Sequence, residues 1–276
     1  MRPALIEDLS QTTENLRRST VQVEGSGRGA GSGVIWRTDG AIITNAHVIR
    51  RGGAQIRLWD GRVVRCTVVA RDPQFDLALL QADASNLPAA TIADSDAVRV
   101  GELVLAVGSP YGHAGSATVG VVHAGGNRRW IEVDVRLGPG NSGGPLADAD
   151  GRVIGINTMI VQGLALAIPS NIVERFVARR GSPARRLGVT VQPVDAGGFG
   201  LLILEVDAGG LAHDAGLQVG DILTGSRGER FQAPFDLALS LESSIGSHLR
   251  LDVLRGGQPV ICEVNFDSAP VGAGVG

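Results

Sequence analysis

Three segments of the 276-residue chain carry the residue types that can make an alcohol nucleophilic. His47 follows an apolar run in Ile43-Thr44-Asn45-Ala46-His47-Val48-Ile49, and Asp76 opens another in Phe75-Asp76-Leu77-Ala78-Leu79-Leu80. Ser142 lies in a glycine-dense turn, Gly140-Asn141-Ser142-Gly143-Gly144-Pro145-Leu146. A hydroxyl is a poor nucleophile at neutral pH and needs an adjacent base; an imidazole base needs a third group to fix its tautomer and stabilise its protonated form. The oxyanion that forms on an attacked carbonyl needs N–H donors that approach closely. Glycines around a serine permit such a turn, which puts an oxyanion hole on Gly140, Asn141 and Ser142, with the N–H groups of Gly140 and Ser142 aimed at one point. Alone, each motif has a plain structural reading: a satisfied histidine, a turn aspartate, a glycine loop. Together, in the order His, Asp, Ser, they favour the chemical one. A Ser–Lys dyad is excluded because the chain contains no lysine.

The elements that must position these residues are short. Apolar runs such as Gly33–Trp36, Ala41–Ile43, Val63–Val69, Leu77–Leu80, Leu103–Val107 and Val153–Ile156 alternate with Gly, Asp and Asn. That spacing predicts an all-β barrel or sandwich over residues 20–180. An N-terminal arm or helix occupies residues 1–19, and Ile172, Val173, Phe176 and Val177 predict one amphipathic helix. Arg179-Arg180-Gly181-Ser182-Pro183 reads as a linker, centred on residues 181–185. Residues 186–267 then predict a smaller α+β unit: strands at Val189–Val191, Leu201–Val206, Leu249–Leu254 and Val260–Asn265, helices at Leu211–Ala215 and Phe235–Leu241. Residues 268–276 read as a disordered tail. The fold class expected from this pattern is mainly β, followed by a small α+β domain.

Composition excludes several functions. Apolar residues are 43% of the chain, enough for two cores, and 25 basic against 28 acidic residues leave a formal charge of −3. Nothing in that balance calls for nucleic acid or an anionic membrane as partner. Cys66 and Cys262 fall in different expected domains, no Cys/His cluster has metal-ligand spacing, and no cofactor is expected. No run approaches a membrane span and the first residues lack a secretory h-region. The expectation is a cytoplasmic protein if Met1 is native, an exported one if a signal was removed. The glycines at 25, 27, 29, 31 and 33 do not form a phosphate loop, since a strand and no lysine follows them; glycine flexibility beside the cleft is the expected reading.

Gly31-Ser32-Gly33-Val34-Ile35, Thr44-Asn45-Ala46-His47-Val48, Asp76-Leu77-Ala78-Leu79-Leu80, the Ser142 motif, Val153-Ile154-Gly155-Ile156-Asn157-Thr158 and Ala167-Ile168-Pro169-Ser170-Asn171 together resemble HtrA/Deg-family serine proteases over about residues 20–267. The resemblance implies a chymotrypsin-like double six-stranded barrel with the site in the cleft between barrels. It also implies cleavage of unfolded or damaged polypeptides without ATP, commonly by trimers. The second domain resembles a PDZ module. Arg186-Leu187-Gly188-Val189 would be its carboxylate-binding loop, the strand through Val191 would pair with a peptide C-terminus, and Leu187, Val189, Ala238 and Leu241 would line its groove, with core packing the rival reading for these four.

By alignment to the serine motif, Arg136, Leu137, Leu164, Ala165 and Leu166 should border the primary specificity pocket, favouring small or medium aliphatic side chains. Arg136 at the pocket base would suit acidic side chains; a surface pair with Asp134 is the preferred expectation. Two departures stand out. The stretch from Val122 to Gly138 is short, which puts family-type allosteric control in doubt, and the N-terminal arm lacks the aromatic residues often used in trimer contacts. A binding protein or holdase with a collapsed catalytic loop is the rival from another class.

Overall fold

The computed structural model describes residues 3–25, 30–49, 54–73, 75–109, 115–125, 130–179, 186–232, 236–242, 244 and 248–266. The expected linker at 181–185, the tail at 268–276 and residues 126–129 of the shortened stretch lie outside these. The chain divides into two compact units, Met1–Pro183 and Ala184–Gly276.

The first unit opens with helix α1 (Pro3–Arg18), anchored by buried Leu16, whose carbonyl accepts hydrogen bonds from the Ser19 and Thr20 hydroxyls as the helix ends. Strands β1 (Thr20–Gly25), β2 (Ala30–Ile35), β3 (Ala41–Thr44), β4 (Ala54–Arg57), β5 (Val63–Asp72) and β6 (Leu77–Ala82) follow. They close into a barrel in the order β1-β2-β3-β6-β5-β4. β4 alternates buried and exposed residues, whereas β6 is a nearly continuous apolar run. Val21, Val23, Ile35, Ile42, Ile56, Ala78 and Leu80 meet in its core.

Strands β7 (Leu103–Gly108), β8 (Ser116–Ala124), β9 (Ile131–Asp134), β10 (Pro145–Asp148), β11 (Val153–Val161) and β12 (Leu164–Pro169) close a second barrel in the order β10-β11-β12-β9-β8-β7. Its core gathers Val104, Ala106, Val122, Ile131, Val133, Leu146 and Ile154. The expected double barrel is present. Helix α2 (Ser170–Ala178) buries Ile172, Val173, Phe176 and Val177 on one face, each worth about 1.5–3 kcal/mol against exposure. The Ser170 hydroxyl donates to the Ala93 carbonyl at 2.6 Å, and the Trp36 indole N–H in the first barrel donates to Glu174 at 2.6 Å. Among the described residues no helix is long and apolar enough to cross a membrane.

The second unit comprises β13 (Val189–Asp195), β14 (Phe199–Val206), α3 (Leu211–Asp214), β15 (Ile222–Ser226), β16 (Glu229–Arg230), α4 (Asp236–Glu242), β17 (His248–Arg255) and β18 (Gln258–Asn265). Its antiparallel sheet runs β13-β14-β15-β17-β18, so β13 is an edge strand. Leu187, Leu201, Ile203, Leu223, Leu241, Leu249 and Val264 belong to its core. Cys66 and Cys262 are free and buried.

Leu146 is wholly buried in the second barrel, directly after the Ser142 turn. Leu146→Ala should therefore cost about 2–5 kcal/mol, read as a lower urea midpoint of the first unit's unfolding transition.

Candidate active site

His47 lies just past the end of β3, and Asp76 sits directly before β6, which pairs with it. Strand pairing therefore delivers both side chains to one end of the first barrel. His47 Nδ1 stands 2.8 Å from Asp76 Oδ2, and the His47 backbone N–H donates to Asp76 Oδ1 at 3.0 Å. With Nδ1–H turned to the carboxylate, Nε2 is left as the basic nitrogen. The Asp76 carbonyl accepts from Ala46 N–H at 3.1 Å and from the Asn45 side-chain amide at 3.0 Å. Asp76 has φ of 54°, a left-handed conformation uncommon outside glycine.

Burial is the largest single influence on the Asp76 carboxyl and pushes its pKa up. The hydrogen bonds from His47 and Thr158, the attraction of His47 and the backbone N–H together outweigh it, holding the carboxyl below its ordinary value of 3.8.

Ser142 comes from the second barrel, on the turn before β10, yet the first barrel holds that turn. Ser32 of β2 donates its N–H to the Ser142 carbonyl at 2.8 Å and its hydroxyl to the Gly140 carbonyl at 2.7 Å. The Ser32 hydroxyl accepts from Ser109 N–H at 2.9 Å, and its carbonyl accepts from the Thr44 hydroxyl at 2.7 Å. Behind the turn, Gly143 N–H donates to the Asn157 carbonyl at 2.8 Å, and Asn157 N–H donates to the Gly144 carbonyl at 2.9 Å. Gly31 and Gly33 are buried strand residues where a Cβ would run into Val48 and press on Val21 and Val23, respectively. Their role is close packing, which replaces the expected flexibility at these two positions; glycines 27 and 29 lie outside the described residues.

Thr158, one residue past Asn157 on β11, joins the two halves. Its hydroxyl donates to Asp76 Oδ2 at 2.6 Å, and its carbonyl accepts the Ser142 hydroxyl at 3.0 Å. Sequence reasoning assigned Thr158 no role, and the only signal was its place in the Ile156-Asn157-Thr158 run. The Ser142 hydroxyl is thus turned to Thr158, and among the described residues no hydrogen bond joins it to His47. Asn141 N–H is donated to the Gly138 carbonyl at 3.1 Å, which removes it from the expected donors. The N–H groups of Gly140 and Ser142 have no acceptor among the described residues.

The expected pocket residues do not share one surface. Ala165 is fully buried in the second barrel's core, while Leu166 lies outside that cluster and Leu164 is half-buried. Successive strand residues point to opposite faces, so the run 164–166 cannot line a single wall. Leu137 packs against the same core. Arg136 and Asp134 are both exposed, and among the described residues the expected pair between them is not formed.

In the second unit, Arg186 is exposed and Gly188 has φ of 79°. The Gly188 carbonyl accepts from Asp207 N–H at 2.9 Å. Leu187 and Leu241 are core residues rather than open groove walls; Ala238 is buried, and Val189 and Val191 are partly buried against the core. Among the described residues no cluster of His, Cys, Asp or Glu is placed to hold a metal ion.

Two closed six-stranded barrels with a serine turn docked at their junction define a chymotrypsin-like architecture. The family model for a trypsin-like peptidase domain matches residues 31–156. A probable periplasmic serine endoprotease, DegP-like, from Pseudomonas putida strain W619 is 36% identical over 279 residues, covering 89% of this chain and 58% of that protein. The putative serine protease HhoB of Synechocystis is 35% identical, covering 86% of this chain and 66% of its own. The solved structure of the HtrA-type protease AlgW with a decapeptide superposes with a TM-score of 0.76 at 26% identity, over 93% of this chain and 97% of that one. The chain belongs to the HtrA/Deg family. It spans a little over half the length of the DegP-like relatives it matches.

Gly143 has φ of 87°, and a Cβ there would collide with the Ser32 carbonyl oxygen and the Thr44 hydroxyl. Gly143→Ala should cost about 1–3 kcal/mol from backbone strain alone, with the collision adding to it, seen as a lowered melting temperature. For Asp76, a carboxyl whose pKa is depressed by folding stabilises fully above its unfolded value of 3.8 and loses that contribution as pH falls through the folded value. Urea titrations should accordingly show wild type losing stability relative to Asp76→Asn as pH drops below 3.8.

Proposed function

We propose that the chain is a serine endopeptidase acting on unfolded or damaged polypeptides. The observation that carries this reading is the His47–Asp76 pair at 2.8 Å, joined through Thr158 to a serine in a glycine turn. Ser142 Oγ attacks the peptide carbonyl while His47 Nε2 takes the hydroxyl proton. The oxyanion is held by the N–H groups of Gly140 and Ser142, His47 returns the proton to the leaving amine, and water then cleaves the acyl-enzyme by the same route. Asp76 holds the Nδ1–H tautomer and balances the imidazolium. Attack requires a rotation about the Ser142 Cα–Cβ bond that exchanges the Thr158 carbonyl for His47 as partner of the hydroxyl.

The second unit serves, in this reading, as a PDZ domain. Among the described residues β13 lies at the edge of its sheet, beside Gly188, the setting in which a peptide C-terminus adds a strand. That AlgW was solved with a decapeptide supports peptide ligands for the same architecture. Assembly as a homotrimer is proposed on family resemblance.

The turned Ser142 hydroxyl favours one rival, a peptide-binding protein whose catalytic serine stays disengaged. A fluorophosphonate probe separates the two. The protease reading expects covalent labelling of wild type, none of Ser142→Ala, and casein cleavage lost in Ser142→Ala with the fold retained. Absence of labelling under every condition would favour the binding protein instead.

A further inference from the structure

The last two residues of β5 reach towards the two segments that carry His47 and Asp76. Arg71 extends its guanidinium to the Ala46 carbonyl, Nη2 donating at 2.6 Å. Ala46 directly precedes His47, and its N–H is already donated to the Asp76 carbonyl. Both polar backbone groups of residue 46 are therefore tied, one to the Asp76 turn and one to β5. The adjacent Asp72 is buried, and its Oδ1 accepts the Phe75 N–H at 3.1 Å, one residue before Asp76. Asp72 Oδ2 lies 4.0 Å from an Arg179 guanidinium nitrogen at the end of α2, which compensates the buried charge.

These anchors matter because neither functional side chain is fixed by packing alone. The His47 side chain is 52% exposed, so its direction depends on the Asp76 carboxylate and on the backbone that presents it. Asp76 in turn holds a left-handed conformation that persists only where neighbouring bonds over-determine it. Arg71 offers a charge-assisted bond, stronger than a neutral one, to the first segment. Asp72 fixes the amide that enters the second.

We propose that Arg71 and Asp72 are positioning residues for the His47–Asp76 pair, Arg71 acting through the Ala46 carbonyl and Asp72 through the Phe75 amide. The proposal rests on the reading of His47 as base and Asp76 as its orienting carboxylate. Neither residue touches the reacting atoms; together they keep the imidazole and carboxylate in register while the proton moves. Loss of either anchor slows the chemical step and leaves substrate affinity unchanged.

The test is saturation kinetics of a fluorophosphonate probe on the full chain, separating the maximal inactivation rate from the half-saturating concentration, with melting temperature measured alongside. Arg71→Met removes the donor and keeps the aliphatic stem; Arg71→Lys keeps a donor. Asp72→Asn keeps an oxygen acceptor for Phe75 N–H, and Asp72→Ala removes it. The expected result is a maximal rate about tenfold or more lower in Arg71→Met and Asp72→Ala at unchanged half-saturation, with Lys and Asn restoring it to within about threefold. Wild-type rates in folded Arg71→Met would overturn the proposal, as would rate losses that track only the unfolded fraction in all four variants. Failure of wild type itself to label would instead overturn the reading beneath it, so the two failures are distinct.

Discussion

Ser32 ties the Ser142 turn of one barrel to the backbone of the other. Its amide, hydroxyl and carbonyl are all engaged: with the Ser142 carbonyl, with Gly140 and Ser109, and with the Thr44 hydroxyl. A turn that leaves its barrel as the one carrying Ser142 does would otherwise expose unpaired carbonyls at 140 and 142 in a place partly closed to water. Buried carbonyls without partners are costly, so the turn is stable only where β2 supplies donors. The rest of the site follows from that docking. It places Ser142 against β11, within reach of the Thr158 carbonyl, while the Thr158 hydroxyl reaches the carboxylate beside His47.

Close docking of this kind is incompatible with side chains at the points of approach. Gly143 lies against the Ser32 carbonyl, and a Cβ on Gly31 would stand 2.6 Å from Val48 and 3.1 Å from the Ser142 carbonyl. The glycines that flank Ser142 and, across the junction, Gly31 of β2 therefore answer one demand from opposite sides. One set shapes the turn, and the other lets it sit down on the sheet.

The all-β character of the first unit was legible in short apolar runs separated by turn residues, and β6 and β4 show both forms of the pattern, whereas the division into two barrels followed only from the family resemblance. His47, Asp76 and Ser142 stood out by residue type. Ser32, Thr158 and Arg71 did not, since each works largely on or through backbone amides and carbonyls that every residue possesses, and only strand register decides which ones meet. Register also explains the specificity residues. A sequence run such as Leu164-Ala165-Leu166 reads as one apolar wall, but the pleat sends Ala165 inward to the barrel core. In the second unit Leu241 read equally well as groove or core and Leu187 as a groove residue; both belong to the buried cluster.

On the proposed reading of Ser142 as nucleophile, the bond from its hydroxyl to the Thr158 carbonyl has an energetic corollary for turnover. In a serine protease, a hydroxyl shared between a backbone acceptor and an imidazole populates two rotamers, and only the second is poised to react. The observed rate is the intrinsic rate multiplied by the occupancy of that second well. A preference of about 1.4 kcal/mol for the parked rotamer leaves roughly one molecule in eleven armed at any moment. Any ligand that competes for the Thr158 carbonyl raises that fraction without making a single contact to the serine.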